Sequence, residues 1–182
     1  SGCLVERLLT FKSQLRNPVK YIDFNTAGVL RFKSPILRLD DIELLTGVLP
    51  TRINKNKVTY DFIRPDEPNY SFRYILLFKN KQLESIDYPD SFYKAIASVF
   101  AFESLALFGE AELPKNGIWQ IENNGIELSG LPTKKQLLSV FGPPTFKSIF
   151  SDVEILHYHY KHPTLENLQE LKVSLSFEKK TD

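Results

Sequence analysis

The chain contains no methionine, one cysteine (Cys3) and one tryptophan. A lone cysteine excludes a disulfide framework and a cysteine-only metal cluster within one chain. Charge of neither sign dominates: 23 Lys+Arg stand against 22 Asp+Glu, and a net charge of +1 gives no electrostatic footprint for nucleic acid. No apolar run reaches the roughly 18 residues of a membrane-spanning helix. A Gly-x-Ser-x-Gly elbow, a phosphate-cradling glycine loop, a dinucleotide fingerprint and a His-Glu-x-x-His helix are all missing. What is present is aromatic: 14 Phe and 8 Tyr in 182 residues, within a chain 42% hydrophobic and 25% charged. That composition excludes wholesale disorder, and the length suits one mid-sized domain or two small ones, with a real core.

The N-terminus reads Ser1-Gly2-Cys3-Leu4. A small residue, then Gly, then Cys resembles the end of a bacterial lipoprotein signal peptide, in which the Cys becomes the lipidated first residue. Cys3 as an ordinary residue behind an unrelated Ser-Gly pair is the other reading. Lipidation at Cys3 implies anchoring worth about 0.8 kcal/mol per buried CH₂. On that resemblance, Leu4 rather than an acidic residue after the cysteine implies the outer membrane if the host is Gram-negative.

Leu4, Leu8, Phe11 and Leu15 are spaced as one face of a helix that Asn17-Pro18 ends. Tyr21–Phe24 and Val29–Phe32, either side of a turn at Gly28, predict a β-hairpin. Asp40, with Glu43 three residues on, predicts a capped helix ended by Gly47. Period-two runs at Val58–Phe62 and Phe72–Phe78 predict strands, with Leu83–Ile86 a further short one. Residues 90–108 predict one long buried helix, capped by Asp90 or Ser91 and ended by Gly109.

The pattern then restarts. Gly117–Ile121 and Ile126-Glu127-Leu128 predict a second hairpin, and Thr133 with Gln136 a second capping box. Strands follow at Glu154–Tyr160 and Leu171–Phe177. Tyr60 to Phe78 is 18 residues and Tyr158 to Phe177 is 19. A doubled order at near-equal spacing indicates an internal repeat. Gly130-Leu131-Pro132-Thr133, then Leu137, Val140 and Gly142-Pro143-Pro144, resembles the repeat of small outer-membrane lipoproteins of the SmpA/OmlA type. The two-repeat β-lactamase inhibitory proteins are similar. The resemblance covers roughly 117–178 and, more loosely, 19–88; it implies a fold and an envelope location.

The expected fold is α+β: tandem ββαββ repeats forming one antiparallel sheet, with helices packed on one face. The divisions are 1–18 (N-terminal anchor or helix), 19–88 (first repeat), 89–116 (connecting helix) and 117–182 (second repeat). All three histidines lie in His157-Tyr158-His159-Tyr160-Lys161-His162. On a strand His157 and His159 share a face, but the spacing offers no recognisable third metal ligand, so neither a metal nor another cofactor is expected. The sheet face away from the helices mixes aliphatics with charge: Asp61, Arg73, Ile75, Leu77, His157, His159 and Lys172. That mixture suits a protein contact. The resulting expectation is a non-catalytic, lipid-anchored envelope protein, facing the periplasm, that binds another protein across this face. An inhibitor or immunity protein is the first alternative. An enzyme or metal-binding protein centred on His157 and His159 is the second.

Overall fold

A computed structural model describes residues 2–25, 27–112, 128–163 and 170–178. Helix α1 (Leu4–Arg16) follows the expected apolar stripe, burying Leu8 and Leu15. Asn17 ends it, and Pro18, whose fixed φ suits a first helical position, starts the single turn α2 (Pro18–Tyr21). The first hairpin is β1 (Ile22–Phe24) with β2 (Val29–Phe32). Then come α3 (Leu39–Thr46), β3 (Arg52–Asn54), β4 (Lys57–Phe62), β5 (Phe72–Lys79) and β6 (Gln82–Asp87). These strands form a six-stranded antiparallel sheet in the order β1-β2-β6-β5-β4-β3. One of its faces carries Leu30, Phe32, Val58, Tyr60, Leu76 and Phe78 into a core closed by Leu8, Leu15, Ile42 and Leu45.

The start of α3 differs from expectation. Arg38, not Asp40, is the N-cap, and the helix is capped from Asp41, whose carboxylate accepts the Arg38 N–H at 2.9 Å. Asp41 is 1% exposed and also accepts from Arg7 Nε and Nη2, at 2.8 and 2.7 Å. One carboxylate therefore ties α1 to the head of α3.

The long helix is broken in two: α4 (Asp90–Ala95) and α5 (Ser98–Glu110), with Ile96 and Ala97 extended between them. The reason is that its aromatic residues serve two cores. Phe102, Leu105 and Phe108 pack on the first, while Phe92 packs on a second, 4.8 Å from the ring of Phe72. One straight helix cannot reach both. Gly109 lies inside α5 rather than ending it; a Cβ there would sit 2.7 Å from the Arg16 nitrogen, so glycine lets α5 cross α1 backbone to backbone.

The second unit has α6 (Lys134–Phe141), β7 (Phe146–Phe150), β8 (Val153–Lys161) and β9 (Glu170–Glu178). Its capping box is as expected: Thr133 Oγ1 accepts the Gln136 N–H, and Gln136 Oε1 the Thr133 N–H at 2.8 Å. The second hairpin expected over 117–128 lies, but for Leu128, outside the described residues. The described parts of the two units share an order: an eight-residue helix, then three strands paired in sequence. The architecture is α+β, with helices against one face of the strands. The described strands divide into the six-stranded sheet and a three-stranded one, β7-β8-β9, instead of a single sheet.

Two connections join these sheets. Ile63 and Lys161 form an isolated antiparallel bridge, their backbone N–H groups each donating to the other's carbonyl at 2.8 and 2.7 Å. Next to it, Arg64 is fully buried. Its guanidinium donates to the carbonyls of Phe141 (3.0 Å) and Pro143 (2.8 Å) at the end of α6, and to both oxygens of Asp66 (3.0 and 2.5 Å). It also lies over the rings of Tyr158 and Tyr160 at 5.3 and 5.8 Å. Around it Phe72, Phe141, Leu156, Tyr158 and Tyr160 form the second core.

Burial pushes the Asp41 carboxyl up, but the hydrogen bonds from Arg7 and Arg38 outweigh it and hold the group below the usual carboxylate range. With the folded value under the unfolded one, this contribution is complete above the unfolded carboxylate range. It is lost as pH falls through the folded value. Urea midpoints should therefore drop between about pH 5 and pH 2. Asp41→Asn should lower the midpoint at pH 7 and flatten that acid limb, measured by far-UV circular dichroism.

Candidate functional site

On β8, Glu154, Leu156, Tyr158 and Tyr160 face the helices, and Val153, Ile155, His157 and His159 face the other way, as strand alternation demands. Cross-strand register places Phe146 of β7 and Ser174 of β9 opposite His157, and Lys172 opposite His159. The expected histidine face is therefore real, with a tight cluster at its centre. The Phe146 ring stacks on the His157 imidazole at 4.2 Å and 12°, and meets His159 edge-on at 5.3 Å. His157 Nε2 is 3.0 Å from Ser148 Oγ, and Nδ1 is 3.1 Å from Ser174 Oγ. Because hydroxyls both donate and accept, either tautomer of the imidazole is satisfied here.

This geometry limits the chemistry. Both ring nitrogens of His157 are engaged, so a metal would have to displace a serine. His162 is buried, 6.4 Å from the Phe62 ring, and does not join the other two histidines. Among the described residues, no three His, Cys, Asp or Glu side chains are grouped to hold a metal. Ser148 and His157 stand at proton-transfer distance, but the imidazole's other partner is a serine hydroxyl. A hydroxyl does not stabilise an imidazolium as a buried carboxylate does.

The other four predicted face residues lie on the six-stranded sheet. Asp61 and Arg73 are directly opposite and form an ion pair at 2.6 Å, while Ile75 and Leu77 are half-buried beside them. The two open faces meet. Ile63 follows Asp61 on its side of β4, Lys161 follows His159 on β8, and bridged residues project on the same side. The seven predicted residues thus lie on one surface crossing both sheets.

Sequence reasoning missed β7. Its five residues, Phe146-Lys147-Ser148-Ile149-Phe150, have no period-two pattern, yet they form an edge strand exposing Phe146, Ile149 and Phe150 by 47, 61 and 65%. The available signal was three large apolar residues in five, directly after Gly142-Pro143-Pro144. Beside the start of β7 is an open groove of about 610 Å³ lined by Tyr70, Leu138, Gly142, Pro143, Pro144, Phe146 and Lys147. Cys3 is exposed at the N-cap of α1. No described helix is long and apolar enough to cross a membrane.

Comparison with protein-family models, curated proteins and solved structures finds no match.

With His157 satisfied by two serines, folding should not depend on metal. Excess chelator should leave the melting temperature within a degree or two in a calorimetric scan. A larger drop that zinc restores, and that is absent in His157→Ala, would show a metal site.

Proposed function

We propose that this protein is a non-catalytic binding module of the bacterial cell envelope, lipid-anchored at Cys3, that engages another protein across the open face of its sheets. The observation that carries this reading is the exposure of Phe146 and Phe150, beside half-buried Ile155, on a face rimmed by Arg73, Lys161 and Lys172. An apolar, aromatic centre inside a charged rim is the anatomy of a protein interface. Three large apolar side chains on one five-residue edge strand contribute little to either core, so an interaction explains them better than folding does.

The anchor rests on a separate observation. Cys3 directly precedes α1, which packs along α5, so an acyl chain on Cys3 would hold the folded body close to the membrane. The likeness of the second unit to the SmpA/OmlA-type lipoproteins supports the same address, the periplasmic side of the outer membrane.

Expression from the full-length gene in a Gram-negative host tests both parts. The protein should fractionate with membranes, and Cys3→Ser should move it to the soluble fraction. Chemical crosslinking in intact cells should give one dominant heterologous adduct, lost in Phe150→Asp and kept in Ile53→Asp. Identical fractionation of Cys3→Ser would remove the anchor; an adduct insensitive to Phe150→Asp would remove the binding face.

A further inference from the structure

Among the described residues each sheet ends in two edge strands, and three of these four are protected. β1 and β3 have only three residues each; β1 bears Asp23 paired with Lys33, and β3 bears Arg52 and Asn54. β9 alternates Lys172, Ser174 and Ser176 along its open face. Short length and charge are the usual means of blocking edge-to-edge pairing. β7 has neither. It pairs with β8 through five consecutive residues without a bulge, holds no proline, and carries one charge, Lys147, 3.8 Å from Glu154. An antiparallel pair uses the backbone groups of alternate residues, so the remaining N–H and C=O groups of β7 point outward.

The geometry points to the occupant: we propose that β7 pairs antiparallel with β7 of a second copy of this chain, about a two-fold axis through Ser148. The sequence of β7 is self-complementary in that register. Phe146 falls opposite Phe150 of the second copy, and Phe150 opposite its Phe146, giving two aromatic pairs on the open face. Lys147 falls opposite Ile149, so no like charges are directly opposed, and the two Lys147 lie diagonally, each beside its own Glu154. This register joins the two three-stranded sheets into one of six strands.

This inference goes beyond the binding of a different protein and stands whether or not that partner exists. A five-residue strand pair buries less than the roughly 1,200 Å² of a standard interface, so the dimer should be a weak one.

Sedimentation velocity of the Cys3→Ser chain over roughly 10 to 1,000 µM, a span suited to a small interface, is the primary test. The weight-average mass should rise from the 21.0 kDa of one chain towards twice that value. Ile149→Lys sets like charges opposite Lys147 and should weaken association at least tenfold. Ile149→Glu sets a carboxylate there and should preserve or tighten it, while Ile53→Lys on β3 should change nothing. Ser148→Cys in the same background should give an intermolecular disulfide on mild oxidation, because residues on the axis sit within bridging distance. A chain that stays monomeric throughout, or dimers indifferent to Ile149→Lys, would overturn the proposal.

Discussion

The arrangement depends on a buried guanidinium. Taking Arg64 out of water costs several kcal/mol unless its donors are met, and here they are: by two carbonyls, a carboxylate and two tyrosine faces. The carbonyls belong to Phe141 and Pro143, where α6 ends and its last C=O groups lack helical partners. One side chain thus satisfies the end of a helix in the second unit while its own backbone leaves the first. Gly142 holds the turn between those carbonyls, with φ +71° and the Tyr70 ring 2.5 Å from where a Cβ would be. Gly142 also accepts the Tyr158 hydroxyl at 3.0 Å. The angle between the two sheets, and therefore the continuity of the open face at Ile63 and Lys161, follows from these contacts.

The elements legible in the sequence were those decided locally. α1 carries its own apolar stripe, the β1–β2 hairpin its turn, and α6 a Thr133–Gln136 box that forms within four residues. The features that were not legible are decided at a distance. Arg64 precedes Pro65-Asp66 and reads as the start of a polar loop, because nothing nearby announces that Phe141 and Tyr158 will surround it. Asp41 outcompeted Asp40 as the capping carboxylate because Arg7, 34 residues away, selects it. The break at Ile96 and Ala97 reflects two cores competing for one apolar helix. Likewise, the division into two sheets reflects the Arg64 junction, which strand periodicity does not encode.

The surface shows the same division. That His157 and His159 share a face follows from alternation alone, and so does the grouping of Asp61 with Arg73. That Phe146 covers the imidazole, and that Ser148 and Ser174 occupy both its nitrogens, required the register of three strands. In this cluster serine hydroxyls meet both imidazole nitrogens, and β7 supplies its Phe146 and Ser148.

Arg64 should make the two sheets one cooperative unit, and native-state hydrogen exchange reads that coupling residue by residue. The amides of Ile63 and Lys161 should exchange with the same opening free energy as those of Leu76 in β5 and Leu156 in β8, all at the global value. Arg64→Met should separate them, with β7–β9 opening first and overall stability falling by about 3 kcal/mol. Exchange of the second sheet well below the global free energy in the unaltered chain would contradict the account.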